Sequence, residues 1–359
     1  MEETVLLTGS SGFIGSNLLL KWLSETRAHL VLLVRGRHGE APRSRIEAVL
    51  AELSGAEQTA RFLDRIEVVE GDLALDRLGL SGSVYGDLAG RVSHIIHCAA
   101  AARFDLDLDE ARKINVGGTR RVIDFAGACA KLARIDYVGT AYVAGKRKGI
   151  IREDELDEGQ EHNNTYERSK LEAEVFVRER MKDLPIAIYR PSIVICDSKT
   201  GRASSYNGFY RALRLYWHGV LTILPGYPSS ILDLVPVDYV TDALFAISNN
   251  PGSLGRCHHL TAGLDNGTTL ERVRKLAARH FNRKEFTILS PENFGGHISK
   301  MESGLPDEMR GAIDEIRLYS PYLLSDLRFD DSNTRGIVSS PAPGVESYFG
   351  KMAGYIMRH

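Results

Sequence analysis

Residues 4–15 read TVLLTGSSGFIG, an apolar run that leads directly into three glycines spaced three residues apart. Glycine adopts positive φ without steric cost and lets the backbone come close to a pyrophosphate at a helix N-terminus. A strand, a glycine-rich turn and a helix in this order predict a dinucleotide-binding unit, with a plain strand–helix turn as the alternative. The residues expected to contact the dinucleotide are Gly9, Ser11, Gly12, Phe13, Ile14 and Gly15.

Apolar runs and amphipathic stretches continue to alternate after this unit. Strands are predicted at 4–9, 30–36, 66–72, 94–100, 134–140 and 185–192, and helices at 15–25, 43–54 and 118–131. Uniformly apolar strands separated by helices indicate a parallel sheet covered on both faces. Right-handed crossovers then give a doubly wound α/β fold of the Rossmann type.

The alternation ends near residue 192. An aromatic-rich helix is predicted at 208–219, an extended segment followed by a helix at 231–249, and one more strand at 257–263. We therefore predict two domains. The dinucleotide-binding domain comprises 1–195 and 232–262, and a smaller C-terminal substrate-binding domain comprises 196–231 and 263–359.

The composition argues against several functional classes. The 359 residues carry 45 basic and 47 acidic side chains, a net charge of −2, so no field of one sign points to nucleic acid. No run reaches the ~18 apolar residues of a transmembrane helix. The four cysteines are far apart, which disfavours a zinc site and fits free thiols in a reducing compartment. We expect a cytoplasmic protein without a metal site.

The ends of the next three predicted strands carry further candidate cofactor contacts. Arg35 stands where an acidic residue would accept hydrogen bonds from the ribose of NAD, and a basic residue there favours the extra phosphate of NADP. Arg45, in the next helix, supports this choice, although a solvated basic loop is the alternative. After the third strand Asp72 and Leu73 are placed to meet the adenine. After the fourth strand the small side chains that let a cofactor lie flat are Ala99, Ala100 and Ala101.

The stretch NNTYERSK, residues 163–170, places a tyrosine and a lysine four residues apart. On a helix this spacing puts Tyr166 and Lys170 on one face, one turn apart. A free tyrosine has a pKa near 10, and a neighbouring cation lowers it. The pair is therefore a candidate proton donor with its activating ammonium, whereas an ordinary surface pair is the alternative.

Taken together, these motifs resemble the extended short-chain dehydrogenase/reductase family. The resemblance covers roughly residues 4–262 and rests on TGSSGFIG, GDL, HCAA, INVGGT, YVGTAYVAG, TYERSK and YRPS in the family's order. It implies that Tyr166, Lys170 and Thr140 are catalytic and that Asn115 anchors a water relay. It also implies that the cofactor is NADP(H), with its nicotinamide packed against Pro191, Ser192, Ile193 and Val194.

Several segments look most like thioester reductases, the group that includes fatty acyl-CoA reductases and terminal reductase domains of peptide synthetases. They are SSILDLVPVDYVTDAL, YRPSIVICDSKTG and CHHLTAG. This resemblance implies NADPH-dependent reduction of an acyl thioester, bound to coenzyme A or to a carrier protein, to an aldehyde or alcohol. Family members are often dimers, so a homodimer is consistent with it. One departure is Gly139, where these reductases usually carry serine.

Two other functions stay open. One is a sugar-nucleotide epimerase or dehydratase, or a hydroxysteroid-type dehydrogenase, because variants of VPVDYV occur there too. A second diphosphate would need polar groups within 200–235, where the sequence offers Arg202, Asn207, Arg211 and Arg214. The other is a non-catalytic NADP-sensing regulator, which Tyr166 and Lys170 argue against.

The sequence also makes two predictions about packing in the substrate-binding region. The aromatic helix around Phe209 and Tyr210 and the segment near Leu234 are placed to line a channel for the acyl group and its pantetheine arm. The alternative for the aromatic side chains is a place in the core. The final segment presents one apolar helical face, for which docking onto the protein is favoured over contact with a membrane surface. Its members are Val345, Phe349, Met352 and Ile356.

Overall fold

Seven parallel strands form the central sheet of the computed structural model, which describes residues 3–37, 39–202, 208–301 and 307–359. The strands are β1 (Thr4–Thr8), β2 (His29–Val34), β3 (Ile66–Glu70), β4 (His94–His97), β5 (Arg134–Val138), β6 (Ile186–Pro191) and β7 (Cys257–Leu260). Their order is β7-β6-β5-β4-β1-β2-β3. The order reverses at β1, which pairs with both β2 and β4. In open parallel sheets, ligands bind at the carboxyl ends of the strands beside such a reversal.

Thirteen helices are described, and six of them precede β6 in the chain. These are α1 (Phe13–Glu25), α2 (Pro42–Ser54), α3 (Ala56–Phe62), α4 (Gly82–Arg91), α5 (Leu108–Ala128) and α6 (Thr165–Arg180). The later helices are α7 (Gly208–Trp217), α8 (Val237–Ser248), α9 (Leu270–Phe281), α10 (Pro291–Met301), α11 (Asp307–Leu323), α12 (Ser332–Arg335) and α13 (Phe349–Arg358). Within the described ranges, no helix has both the length and the apolar character needed to cross a bilayer.

Four pairs of short strands tie the later segments to the body. Ile150–Ile151 pairs with Arg328–Phe329, and Ile193–Val194 pairs with Leu234–Val235. Ile223–Pro225 pairs with Thr287–Leu289, and Ile231–Leu232 pairs with Thr268–Thr269. Because these pairs join distant parts of the chain, the segments after β6 fold back over the carboxyl ends of the sheet.

Apolar side chains cover both faces of the sheet. One face packs against α1, α2 and α8 through Trp22, Leu50 and Leu244, and the other packs against α4, α5 and α6 through Leu88, Phe125 and Val177. A separate cluster joins α7, α9 and α13 and includes Tyr216, Val273 and Phe349. The predicted doubly wound fold is confirmed, whereas the predicted domain boundaries remain a prediction.

Several details differ from the sequence-based expectations. Helix α5 begins ten residues earlier than predicted, because Asp107 caps it by accepting from the backbone nitrogen of Asp109 at 2.8 Å. Helices α3 and α4 were not predicted. The apolar face of the final segment packs onto the body of the protein, as the sequence analysis favoured. Its four members are all buried: Val345, Phe349, Met352 and Ile356. That face is therefore covered by the protein itself, and the alternative of membrane contact through it loses its basis.

A buried ion pair links α6 to β6 beneath the sheet's carboxyl end. The Arg190 guanidinium donates to the Glu174 carboxylate at 2.7 Å, and both side chains are fully buried. The pair also explains Gly139, because a Cβ there would lie 3.2 Å from the Glu174 Oε2 atom. A buried pair costs desolvation free energy, and removing one partner leaves the other charge uncompensated.

Glu174→Gln is expected to lower the free energy of unfolding by about 3–5 kcal/mol, because Arg190 stays buried without its counter-charge. Glu172→Gln on the same helix is the matched control. Its carboxylate pairs with Arg112 at 2.7 Å but is 29% exposed, so a loss below about 1 kcal/mol is expected. Urea unfolding followed by circular dichroism measures both, and equal losses in the two variants would contradict the prediction.

Candidate active site

The glycine-rich turn between β1 and α1 packs directly against the end of β4. Gly9 has a φ of +78°, and a Cβ there would lie 2.7 Å from the backbone nitrogen of Ala99. A Cβ at Gly15 would collide with the carbonyl oxygen of Gly9. Helix α1 then begins after Gly12 without a capping side chain. Its first-turn amides are therefore available to an anion at the point where the strand order reverses.

Two buried polar groups at this end of the sheet fit a dinucleotide, because each has atoms without a hydrogen bond to the described residues. Ser10 is 1% exposed, and its Oγ atom makes no hydrogen bond to the described residues. Arg45 donates to the carbonyl oxygen of Arg35 at 2.5 Å and has the Glu40 carboxylate 3.5 Å away. Its Nε and Nη1 atoms nevertheless make no hydrogen bond within the described structure. Since unpaired buried donors cost free energy, these atoms indicate a polar ligand.

Two other predicted adenosine contacts serve the local structure. The Asp72 Oδ1 atom accepts from the backbone nitrogen of Ala74 at 2.8 Å, and Leu73 packs against Gly118. Neither lines the cavity described below. Arg35 is exposed at the end of β2, and Ser11 is exposed in the glycine turn.

The three candidate catalytic side chains converge at the carboxyl ends of β5 and β6. Thr140 follows β5, is 5% exposed, and its Oγ1 atom accepts from the backbone nitrogen of Tyr142 at 3.2 Å. Tyr166 is the second residue of α6 and hydrogen-bonds to the Thr140 side chain. Lys170 lies one turn further along the same helix. The structure thus brings Thr140 and Tyr166 together, with Lys170 on the same helix, and their catalytic roles remain a prediction.

Burial dominates the electrostatics of Tyr166. It raises the pKa of the phenol to about 12, and the hydrogen bond with Thr140 acts in the opposite direction without overcoming it. The expected lowering by Lys170 is therefore not the prevailing effect in this arrangement. The phenol keeps its proton throughout the neutral range, which is the state that a proton donor requires.

Lys170 contacts Val138 and Tyr137 at the carboxyl end of β5. It is 2% exposed, its Nζ atom donates to the carbonyl oxygen of Val138 at 2.9 Å, and it lies 4.6 Å from the centre of the Tyr137 ring. Burial lowers the pKa of the ammonium to about 8, while the nearby Cys98 and Glu174 act to raise it. Two further donors of the ammonium remain for a ligand.

Asn115 joins the cofactor side of the site to α6. Its Oδ1 atom accepts from the backbone nitrogen of Ala101 at 2.8 Å, and its Nδ2 atom donates to the Ser169 hydroxyl at 2.9 Å. Asn115 is 2% exposed. These contacts fix the loop after β4 against the helix that carries Tyr166 and Lys170, which is a positioning contribution in addition to any water relay.

The turn after β6 is fixed in a similar way. The Ser192 hydroxyl donates to the buried Asp233 carboxylate at 2.5 Å, and Asp233 also accepts from the backbone nitrogen of Ala262 at 2.8 Å. Burial raises the pKa of Asp233 to about 6. This arrangement holds the turn in the cavity wall. The predicted nicotinamide contacts there are Pro191, Ser192, Ile193 and Val194.

A cavity of about 400 Å³ runs from the glycine turn past Thr140, Tyr166 and Lys170 into the region of α7, α9 and α11. Near the turn its wall includes Gly9, Gly12, Phe13, Ile14, Gly15 and Ala100. Beyond Tyr166 it is apolar and aromatic, with walls formed by Phe209, Ala212, Leu213, Tyr216, Leu224, Leu270, Val273, Phe286 and Leu323. Among the described lining residues, Lys170 is the one charged side chain.

The aromatic roof over Tyr166 was missed by sequence analysis. Phe104 lies 5.7 Å from the Tyr166 ring, 5.0 Å from Tyr319 and 5.5 Å from Tyr322, measured between ring centres. Tyr142 meets Tyr322 edge-on at 4.8 Å. These residues come from distant parts of the chain and share no sequence motif, so only the fold brings them together.

Two residues named for the channel lie in the core instead of the cavity wall. Tyr210 is fully buried and donates to the carbonyl oxygen of Gly201 at 2.8 Å, so it belongs to the core. Leu234 is also a core residue, but Leu232 in the same predicted segment lines the cavity. Helical periodicity explains the burial of Tyr210. Phe209 lines the cavity together with Ala212, Leu213 and Tyr216, which follow it by three, four and seven positions, and Tyr210 is not part of that face.

The three arginines considered for a second diphosphate are not among the residues that line this cavity. Arg202 donates to the carbonyl oxygen of Glu52 on the surface, and neither Arg211 nor Arg214 contributes to the wall. Asn207 lies outside the described residues.

The surroundings of His97 and Cys98 indicate structural and not catalytic roles. His97 contacts the Thr8 hydroxyl at 2.8 Å and the Thr119 hydroxyl at 3.0 Å, and burial lowers its pKa to about 3. Burial raises the pKa of the Cys98 thiol to about 12, so it is not a thiolate at neutral pH. Neither residue has the environment of a catalytic base or nucleophile.

Known proteins with similar sequences include two reductase-related chains. The nonribosomal peptide synthetase asaC of Aspergillus flavus is 28% identical over 274 residues, which cover 72% of this chain and 26% of the synthetase. The probable fatty acyl-CoA reductase 4 of Arabidopsis thaliana is 24% identical over 441 residues, which cover 93% of this chain and 89% of that protein. The chain thus spans about a quarter of the synthetase.

The fold agrees with these similarities. The terminal R domain from the myxalamid PKS-NRPS biosynthetic pathway superposes with a TM-score of 0.84 at 26% identity, covering 99% of this chain and 91% of that one. The family described as male sterility protein, an NAD-binding family, matches residues 7–244. That match spans the glycine turn, Thr140, Tyr166 and Lys170, so it includes the elements that carry the dinucleotide turn and the three catalytic candidates. The chain belongs to the male sterility protein family of NAD(P)-binding reductases, within the extended short-chain dehydrogenase/reductases.

Proposed function

We propose that the protein reduces an acyl thioester to an aldehyde with NADPH as the hydride donor. The observation that carries this proposal is the cavity itself. A proton-donating site at Thr140 and Tyr166 opens on one side to a dinucleotide-binding turn and on the other to an apolar chamber. The similarity to a probable fatty acyl-CoA reductase supports the same chemistry.

The chain offers separate contacts to each part of the dinucleotide. The first turn of α1 would hold the pyrophosphate, and Arg35 and Arg45 would hold the adenosine phosphate. Lys170 would hold the nicotinamide ribose, with the segment 191–194 against the ring. A reduced nicotinamide bound there supplies a hydride to the carbonyl carbon. This assignment also places the dinucleotide in the proposed larger domain and the acyl group in the smaller one.

The remaining chemistry belongs to Thr140 and Tyr166. The Thr140 hydroxyl donates to the thioester carbonyl oxygen and holds it, while Tyr166 transfers its proton to that oxygen as negative charge develops. The product of this step is a hemithioacetal. When its carbon–sulfur bond breaks, the carbonyl re-forms as an aldehyde and the thiol leaves with a proton. One hydride and one proton are therefore consumed for each thiol released.

The apolar chamber favours an acyl chain over a nucleotide sugar. A second diphosphate would need cationic or amide groups in the wall, and among the described lining residues only Lys170 is charged. That ammonium is already bound to Val138 beside the cofactor turn. An aliphatic chain instead gains free energy from each methylene that leaves water. A regulator without turnover is disfavoured, because the proton donor is complete.

Incubation with NADPH and a series of acyl-CoA thioesters is expected to show NADPH oxidation equal to thiol release. Because each buried methylene contributes about 0.8 kcal/mol, kcat/KM is expected to rise roughly fourfold per added methylene until the chamber is full. If no coenzyme A ester is reduced, acyl groups loaded on a carrier protein are tested as substrates. Turnover of a nucleotide sugar or a sterol, with no thioester reduced, would replace this proposal with the alternative.

Ala212→Trp tests the chamber within the same series. The added indole fills the wall next to Phe209 and Tyr216, so the preference is expected to shift to shorter chains. Ala278→Trp on α9 is the control, because Ala278 is half-buried but does not line the cavity. It is expected to leave the order of substrates unchanged.

The cofactor preference follows from Arg35 and Arg45. A charge-assisted contact with the extra phosphate predicts that NADPH binds roughly 10- to 100-fold more tightly than NADH. Arg35→Ala and Arg45→Ala are each expected to narrow that ratio. Arg43→Ala is the control, because its guanidinium is exposed and pairs with Glu47 at 2.9 Å. Titration of cofactor fluorescence gives the dissociation constants, and equal values for the two cofactors in the unmodified protein would refute the assignment.

Tyr166→Phe is expected to reduce kcat by a factor of 100 or more while the dissociation constant of NADPH changes little, because only the donated proton is lost. Lys170→Ala is expected to weaken cofactor binding as well, because it removes a buried cation that faces the cofactor. Steady-state kinetics and the fluorescence titration separate the two effects. A Tyr166→Phe variant with near-normal kcat would remove Tyr166 from the mechanism.

A further inference from the structure

The first turn of α6 is held by a side chain from the distant helix α11. Asn164 caps α6 by accepting from the backbone nitrogen of Glu167 at 3.0 Å, and its Nδ2 atom donates to the Tyr322 hydroxyl at 2.9 Å. The Tyr322 hydroxyl in turn donates to the Glu167 Oε1 atom at 2.6 Å. The three residues thus close a ring of hydrogen bonds in which Tyr322 is the member from outside the turn. The Thr165 hydroxyl also links the turn to the carbonyl oxygen of Leu106 at 2.8 Å.

The buried Glu167 carboxylate receives hydrogen bonds from two residues, Tyr322 and Asn163. It is fully buried, and its other hydrogen bonds come from the backbone nitrogen of Asn163 at 2.8 Å and from the Asn163 amide. Burial raises its pKa, and the Tyr322 hydrogen bond counteracts that rise. Loss of the phenol would therefore remove one of few donors from a buried acid, in the residue that directly follows Tyr166.

The Tyr322 ring also contacts the other half of the proton-donating site. It meets Tyr142 edge-on at 4.8 Å, and the backbone nitrogen of Tyr142 donates to Thr140. It stacks obliquely on Phe104, which covers the Tyr166 ring. One side chain of the cavity wall thus packs on the Thr140 loop and is hydrogen-bonded to the cap of the Tyr166 helix.

Building on the function proposed above, we propose that Tyr322 is a positioning residue for Tyr166. Through Glu167 and Asn164 it fixes the turn that carries the proton donor, so seating of α11 against the pocket sets the distance between Tyr166 and Thr140. A helix cap that loses its partners frays within the first turn, and small displacements of a proton donor reduce the rate strongly. In this way Tyr322 couples the position of the acyl-binding wall to the position of the proton donor.

The first test measures the turn itself and needs no substrate. In Tyr322→Phe the ring stays and the hydroxyl is lost, so the amides of residues 163–168 are expected to exchange with deuterium roughly 10- to 100-fold faster. Tyr348→Phe is the matched control, because this buried tyrosine also loses one hydrogen bond, to the carbonyl oxygen of Leu234 at 3.3 Å. Unchanged exchange at 163–168 in Tyr322→Phe would overturn the inference.

The second test separates positioning from a loss of folded protein. Tyr322→Phe is expected to lower kcat at least tenfold with unchanged NADPH affinity and stoichiometry, whereas Tyr348→Phe keeps the original kcat. The double variant Tyr322→Phe/Glu167→Gln is expected to lose less than the sum of the two single losses, because both substitutions weaken the hydrogen bond between Tyr322 and Glu167. Additive losses, or a kcat of Tyr322→Phe within twofold of the original, would contradict the role.

If the unmodified protein reduced no thioester, the proposed function would fail, and the exchange measurement would still decide the inference. If it reduced thioesters and Tyr322→Phe did so equally well, the inference alone would fail.

Discussion

The buried ammonium of Lys170 is the constraint on which the site depends. A cation away from water is costly, and here the Val138 carbonyl oxygen, the face of the Tyr137 ring and the nearby Glu174 carboxylate offset that cost. These contacts place α6 at a fixed height above β5. Because Tyr166 lies one turn before Lys170, the burial of the lysine helps to fix the position of Tyr166 relative to Thr140.

The same helix is anchored at three further places by polar contacts. Glu174 pairs with Arg190 below, Ser169 is bound by Asn115 at the side, and Glu167 is bound by Tyr322 above. Each anchor belongs to a different layer of the protein: the sheet, the loop after β4 and the substrate side. Buried polar contacts of this kind cost free energy when incomplete, so they restrict α6 to one arrangement in which all are satisfied.

The cavity changes character along its length for a physical reason. Its cofactor end lies at the strand-order reversal, where backbone amides and the N-terminus of α1 favour an anion. Its far end is enclosed by helices α7, α9 and α11, whose inward faces belong to an apolar cluster. Thr140 and Tyr166 stand at the boundary. Such a boundary suits a polar reaction at the end of an apolar chain. The enclosing helices exclude water from the reacting carbonyl.

Sequence alone determined the features that depend on local patterns. The strand, glycine turn and helix at residues 4–25, the alternation that builds the parallel sheet, and the Tyr166–Lys170 spacing are set by periodicity and by the conformational freedom of glycine. The tertiary structure decided what depends on contacts between distant segments. It placed Tyr210 in the core although its helix lines the cavity, it raised rather than lowered the pKa of Tyr166 through burial, and it brought Tyr322 to Glu167 from 155 positions away in the chain. Periodicity separates Tyr210 from the face of Phe209, but it does not say which face lines the cavity, and it encodes neither of the other two outcomes. Each arises from which side chains the fold removes from water together.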